Sequence, residues 1–169
     1  MSTSALRKTA SLSDATGRNK SSIRFDTSDD VPKVSNGTNW VPLTYVEVSY
    51  KQQPNGELAD EAFFIASRAM QVVSIRQVHS TAGTNGSAVS LQVVKDTGTD
   101  APGAGTNLLT NNSSAGFNLK GTANTVQTGT LNATVANLKL AAGDRLSVDF
   151  AGTLTDAAGV VVSVTLKQI

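Results

Sequence analysis

Apolar and polar residues alternate in a stretch close to residue 44. In TYVEVSYKQ, residues 44–52, the side chains of Thr44, Val46, Val48 and Tyr50 share one face, and mostly polar residues lie between them. A period of two residues is typical of a β-strand that buries one face. A Pro-Asn-Gly turn follows at once, so the pattern predicts a strand that ends near residue 52.

Two further stretches predict strands of different kinds. MQVVSIRQVH, residues 70–79, is rich in β-branched residues, and AVSLQVVK, residues 88–95, is apolar on both of its alternating faces. The second pattern predicts a strand covered on both sides. The apolar run at 62–67 is a candidate neighbour for 70–79. Leu58–Met70 around it is compatible with a helix or a strand, and we favour the strand.

The C-terminal third has the clearest alternation. Leu146, Val148 and Phe150 fall on one face after a turn at 142–144, and a long Thr-rich strand is expected from about residue 124 to residue 135. The segments 147–154 and 160–169 are expected to form a closing hairpin, with Gly159 in the connection.

The whole pattern gives eight or nine short strands at spacings of about 8–12 residues, with turn residues between them. Such spacing predicts an all-β fold, an antiparallel β-sandwich of jelly-roll type. We expect this domain to span residues 41–169. Residues 1–40 are expected to form an extended, irregular N-terminal arm and linker, because FDTSDDVPKVSNGTN at 25–39 carries turn signals and residues 1–24 are poor in large apolar side chains.

Composition narrows the possible chemistry. The chain of 169 residues has no cysteine and one histidine, which excludes disulfides, thiolate nucleophiles, Cys-ligated metals and multi-histidine metal sites within one chain. His79 has no nucleophile-elbow motif beside it, and we interpret it as a structural residue. The glycine-rich stretch at 101–109 lacks the lysine of a phosphate-binding loop and is interpreted as a surface loop. We therefore expect no enzymatic activity, no cofactor and no metal.

Charge is unevenly distributed. Residues 1–24 carry five basic side chains and one acidic one, so the arm has a net charge of +4 and the rest of the chain −3. A binding role for the arm would use basic residues for steering and apolar residues as anchors. The candidate partner-binding residues are Leu6, Arg7, Lys8, Leu12, Arg18, Lys20, Ile23, Arg24 and Trp40.

Alternatives to this role stay open. The arm could be a tail without a binding function, or it could bind nucleic acid, although it lacks the aromatic side chains that stack on bases. Trp40 could be an interface hot spot or a core residue that caps the sandwich. No apolar stretch is long enough for a signal peptide or a membrane span, so we expect no membrane partner.

Three segments resemble structural proteins of tailed bacteriophages. They are SIRQVHSTAGTNGSAVSLQVVKDTGTDAPGAGTNLLT at 74–110, FNLKGTANTVQTGTL at 117–131 and LKLAAGDRLSVDFAGTLTDAAGVVVSVTLK at 138–167. In these segments the chain is similar to capsid decoration (cement) and head-fibre proteins. The resemblance implies a jelly-roll body that forms a homotrimer on the outer surface of an assembled phage head, with the major capsid protein as partner.

The resulting hypothesis is a structural virion protein that clamps neighbouring capsid subunits and is made in the host cytoplasm without a signal peptide. The alternative is a carbohydrate- or receptor-binding jelly-roll module of a phage head or tail fibre. The few aromatic residues that a sugar site would use, Trp40, Tyr45 and Tyr50, lie at the junction of arm and body.

Overall fold

The computed structural model describes residues 8–9, 22–27, 31–42, 44–53, 57–84, 90–110, 116–154 and 156–169. These residues are almost entirely strands and loops, with one 3₁₀ turn at Val135–Leu138. In these ranges, no helix has the length and apolar character needed to cross a membrane. The chain divides into two compact units, an N-terminal unit (Met1–Val46 with Lys167–Ile169) and a sandwich unit (Glu47–Leu166).

The described residues form fourteen short strands. In chain order they are β1 (Lys8–Thr9), β2 (Ile23–Asp26), β3 (Val31–Ser35), β4 (Trp40–Pro42), β5 (Tyr45–Lys51), β6 (Glu61–Ile65), β7 (Met70–Val78), β8 (Ser90–Asp96), β9 (Thr106–Asn107), β10 (Phe117–Asn118), β11 (Gln127–Thr128), β12 (Lys139–Leu140), β13 (Arg145–Ala151) and β14 (Val161–Gln168).

Two sheets form the sandwich. One has the order β11-β7-β14-β5, with β12 also paired to β7, and the other has the order β10-β8-β13-β6, with β9 also paired to β8. When β5, β6, β7, β8, β10, β11, β13 and β14 are counted as first to eighth, the two sheets have the orders first-eighth-third-sixth and second-seventh-fourth-fifth. This order is that of a jelly roll. The predicted all-β antiparallel sandwich is confirmed.

Alternation along each strand explains the core. Leu146, Val148 and Phe150 of β13 are buried as predicted, and so are Val162, Val164 and Leu166 of β14. Tyr50 of β5 contacts Phe63 of β6 and Phe150 of β13, each with 6.1 Å between ring centroids. Because β5 belongs to one sheet and β6 and β13 to the other, these three rings join the two layers.

β8 is covered on both faces, as its sequence predicted. Leu91 and Val93 point into the core, while the opposite face lies under the segment that follows the strand. The Gln92 side chain accepts a hydrogen bond from the Leu109 amide and donates one to the Leu109 carbonyl. The side chain therefore satisfies backbone groups that would otherwise be buried without partners.

Two predicted pairings are wrong. The strand at 61–65 and β7 lie in different sheets, and so do β13 and β14, so neither pair is a hairpin. The alternation identifies which face of a strand is buried but not which strand lies beside it. From β5 to β8 each strand lies in the opposite sheet from the strand before it, and β14 lies opposite β13, as in a jelly roll.

The long strand predicted for 124–135 is also wrong. Only Gln127–Thr128 pairs with β7, and Leu131 makes an isolated bridge to Leu109. Asn124 has φ of 57°, which interrupts an extended backbone, and Gly129 lies against Leu109 and Phe117 with no room for a side chain.

The ambiguous segment before β7 is a strand, as we favoured, and it contains a bulge. β13 pairs Leu146 with Phe64 and then Ser147 with Ala62, which leaves Phe63 as an extra residue. The bulge lets both consecutive phenylalanines pack against the core, which regular alternation would not allow.

The N-terminal unit contains a sheet of its own, in the order β1-β2-β3-β4. The strands β2, β3 and β4 form an antiparallel meander, and β1 pairs with β2 in parallel. The range 25–39, in which the sequence has turn signals, contains β3 and adjoins β4. Asn36 marks the turn between them, where its side-chain oxygen accepts hydrogen bonds from the amides of Thr38 and Asn39.

Candidate functional site

The sheet of the N-terminal unit has two chemically different faces. In β2, Ile23 and Phe25 lie on one face, and the register to β3 extends it with Val34 and Pro32. We call these four residues the apolar row. The opposite face carries polar and charged side chains together with one aromatic side chain, those of Arg24, Asp26, Lys33, Ser35 and Trp40.

The polar face is the more buried one. Asp26 and Ser35 are buried, whereas Ile23 of the apolar row is 51% exposed and the rest of the row is half-buried. A sheet that packs in the ordinary way buries its apolar face and exposes its polar one. The apolar row is therefore accessible surface with the character of a contact site.

Electrostatic contacts order the polar face. The Lys33 ammonium donates to the Asp26 carboxylate at 2.6 Å, and both groups are largely shielded from solvent. The Arg24 guanidinium lies 5.5 Å from the centre of the Trp40 ring, within the range of a cation–π contact. The structure thus brings together two of the predicted partner-binding residues, and both are half-buried.

The other predicted partner-binding residues differ in what can be said of them. Ile23 is exposed in the apolar row, and Lys8 belongs to β1 through its backbone pairing with Phe25. Five more lie outside the described residues: Leu6, Arg7, Leu12, Arg18 and Lys20.

His79 is a buried, hydrogen-bonded residue. Its Nδ1 lies 3.4 Å from the Gln77 side-chain amide, and its Nε2 lies 3.3 Å from the Gly121 carbonyl oxygen. Both ring nitrogens are directed at groups of the protein, and its backbone carbonyl accepts from the Asn124 amide. His79 is therefore buried and hydrogen-bonded within the sandwich unit.

The carboxylates of Asp60, Asp96 and Asp149 lie close together near the glycine-rich stretch at 101–109, which the sequence analysis interpreted as a surface loop. Asp96 is buried and accepts hydrogen bonds from the Gly105 amide and the Ser147 hydroxyl. Burial raises the pKa of Asp96 above its usual range, although hydrogen bonds from the loop and the charge of Arg145 act in the opposite direction. Asp96 thus holds the loop that follows β8 in place.

Asp149 is the second member of this group. Burial raises the pKa of Asp149, and the nearby charges of Asp60 and Asp96 raise it further. Asp60 is engaged in structure, because its carboxylate accepts a hydrogen bond from the Phe150 amide at 2.8 Å. In the parts of the chain described, no group of three or more His, Asp or Glu side chains has the arrangement of a metal site.

A groove of about 640 Å³ lies at one end of the sandwich unit. Its lining combines polar and aliphatic residues: Gln52, Glu57, Leu58, Gly152, Thr153, Leu154, Asp156 and Ala157. None of these described lining residues is aromatic, so they offer no flat surface of the kind on which sugar rings usually stack.

Comparison with known proteins gives no relative. No family model matches the chain, and no curated protein and no solved structure matches it. The candidate site therefore depends on this chain's own geometry.

Sequence reasoning missed the apolar row and the carboxylate group. The signal for the row was present in the alternation of Ile23 and Phe25 with Arg24 and Asp26, but adjacent turn residues obscured it. Only the fold shows that Asp60, Asp96 and Asp149 are close enough to influence one another.

Proposed function

We propose that the chain is a non-catalytic structural protein that binds another protein through the apolar row of its N-terminal unit. In its specific form, it is a decoration protein of a tailed-phage head that clamps neighbouring capsid subunits and acts as a homotrimer. The observation that carries the proposal is the inverted burial of the N-terminal sheet, with Ile23 exposed and Asp26 buried.

Two further features support it. The jelly roll is a common fold of virion proteins, although a fold alone does not define a function. The resemblance of residues 74–167 to decoration and head-fibre proteins supplies the class of partner. A protein that binds only the assembled head stabilises it by RT ln(1 + [L]/Kd) per site, about 2.7 kcal/mol at a concentration one hundred times Kd.

The test is co-sedimentation with empty, expanded phage heads, together with thermal melting of those heads. We expect the full chain to bind and to raise the melting temperature of the heads. Ile23→Asp should weaken binding at least tenfold, because it places a charge in the apolar contact. Val135→Asp is the matched control, since Val135 is 54% exposed in the sandwich unit and should not affect binding.

Two results would contradict the proposal. A full chain that ignores heads excludes the decoration role, and equal effects of the two substitutions exclude the apolar row as the contact. Deleting residues 1–35 should also abolish head binding. Binding to host envelopes instead of heads would favour the receptor-binding alternative, for which no described pocket offers aromatic side chains.

A further inference from the structure

The outer face of the β7-β14-β5 sheet carries a row of side chains that are hydrogen-bonded across three strands. The Ser74 hydroxyl on β7 donates to Thr165 Oγ1 on β14 at 3.1 Å, and the Thr165 hydroxyl donates to the Glu47 carboxylate on β5 at 3.3 Å. The row fixes the position of Glu47, although that side chain is exposed.

Beside this row is a shallow depression of about 300 Å³. Val161 and Ser163 of the central strand β14 are half-buried and form its floor, with Arg76 and Val78 on the β7 side and Glu47 on the β5 side. Val126 stands at the rim and is 63% exposed. The face thus combines a protruding apolar side chain, a depression and one charge of each sign.

The two charges do not neutralise each other. No salt bridge joins Arg76 to Glu47 among the described residues, and the Arg76 guanidinium has no hydrogen bond to any of them. The exposed Arg76 guanidinium on β7 and the Glu47 carboxylate on β5 are suited to pair with a carboxylate and a guanidinium on another surface.

We infer that this face, defined by Glu47, Arg76, Val78, Val126, Val161 and Ser163, is the surface through which two copies of this chain associate. A surface that carries a cation on β7 and an anion on β5 is complementary to itself when a second copy is turned about a twofold axis. Arg76 of each copy then meets Glu47 of the other, and Val126 of each approaches the depression of the other. The inference goes beyond the proposed function, because a twofold contact pairs two copies and is separate from both the homotrimer and the capsid contact.

The size of the face sets the expected strength. With strands about 4.8 Å apart and a rise of about 3.3 Å per residue, a patch of this kind covers roughly 400 Å². A standard-size interface takes about 800 Å² from each partner, so the association should be weak and depend on protein concentration. The association should be measurable at protein concentrations of about 10–500 µM, because we expect a dissociation constant in the micromolar range.

Charge reversal gives a test specific to self-association. Arg76→Glu and Glu47→Arg should each weaken the association measured by sedimentation equilibrium at least tenfold, because each places like charges opposite each other. The double variant should return to within about threefold of the original chain. An equimolar mixture of the two single variants should also associate, since both contacts between positions 76 and 47 then pair opposite charges, one in the original arrangement and one with the charges exchanged.

Lys120→Glu and Glu57→Arg serve as controls, because they reverse single exposed charges away from this face. Circular dichroism and melting temperature establish that each variant folds. A chain that is monomeric over the whole concentration range overturns the inference, and so does a double variant that stays dissociated. Single variants that lose head binding while the original chain is monomeric would assign the face to the capsid, which also overturns the inference but leaves the proposed function in place.

Discussion

At the scale of single residues, Asp149 is a carboxylate whose ionisation lowers the free energy of unfolding. Gly103 lies directly above it, and the carboxyl group accepts no hydrogen bond from the described residues. Its raised pKa means that the folded chain holds this proton more tightly than the unfolded chain does. The resulting stabilisation is present below the ordinary pKa of 3.8 and is lost as the pH rises through the higher pKa of the folded state.

Asp149→Asn should therefore raise the melting temperature at pH 7 and have little effect near pH 3. The amide removes the half-buried charge and its repulsion with Asp60 and Asp96. Melting curves of variant and parent at both pH values test this prediction. Glu57→Gln, which changes an exposed carboxylate, should show no such difference between the two pH values. For Asp149→Asn, an equal rise in melting temperature at both pH values, or a lower melting temperature at pH 7, would contradict the explanation.

The loop after β8 allows a second prediction at this scale. A Cβ at Gly105 would overlap the carbonyl oxygen of Lys95, whereas a Cβ at Gly98 would meet open space despite a φ of +53°. Gly98→Ala should lower the free energy of unfolding by about 1 kcal/mol, the cost of a left-handed alanine. Gly105→Ala should cost roughly 2–4 kcal/mol, because backbone must move away from backbone and the hydrogen bond to Asp96 is strained. Urea denaturation measures both changes in the free energy of unfolding. Equal losses for the two variants would show that the loop backbone at Gly105 can move to accommodate a Cβ atom.

At the scale of strands, Tyr50 is the side chain through which β5 holds the opposite sheet. Tyr50→Ala should lower the free energy of unfolding by about 3–5 kcal/mol, the usual cost of removing a buried aromatic ring. Tyr50→Phe keeps both ring contacts and should change it by less than about 1.5 kcal/mol. Tyr45→Ala is the comparison on the same strand, since Tyr45 is 48% exposed. A small loss for Tyr50→Ala, measured by chemical denaturation, would show that the layers are held together elsewhere.

The strands also show what the sequence could and could not predict. The buried face of β13 followed from alternation, and so did the burial of Tyr50 in β5, although Val46 on the same predicted face is 40% exposed. The partners of β6 and β14 did not follow, because pairing is decided by which layer each connection crosses to. The bulge at Phe63 and the interruption at Asn124 were missed for a related reason, since each is a single-residue deviation from a regular period.

At the scale of the whole molecule, the candidate site was harder to predict than the fold. The charges of the arm and the residues Arg24 and Trp40 could be named from composition, but the exposure of the apolar row could not. Which face of a small sheet stays accessible depends on what covers the other face. That information is distributed over the chain and is absent from the local sequence of β2 and β3.

The two compact units should also differ in how often they open. The core cluster is built only from residues of the sandwich unit, from Val48 to Leu166, and no described residue of the N-terminal unit belongs to it. Sheets with few buried apolar contacts open locally, whereas strands in a core open only when the whole domain unfolds. We therefore expect amide hydrogens of β2–β4 to exchange at least one hundred times faster, after correction for intrinsic rates, than those in the sandwich core.

Two hydrogen-bonded amides provide a matched comparison in the full chain. The Ser35 amide donates to the Ser22 carbonyl at 3.0 Å, and the Leu108 amide donates to the Val93 carbonyl at 2.9 Å. Since both are bonded and both residues are buried, a difference in exchange reports the stability of their surroundings. Amide hydrogen exchange can be monitored by NMR at increasing urea concentrations. The exchange rate of the Ser35 amide should stay nearly constant and that of the Leu108 amide should increase, because only global unfolding exposes much new surface. Equal protection with the same urea dependence would show that the two units unfold as one, and the N-terminal sheet would then be a fixed part of the fold and not a separately opening contact surface.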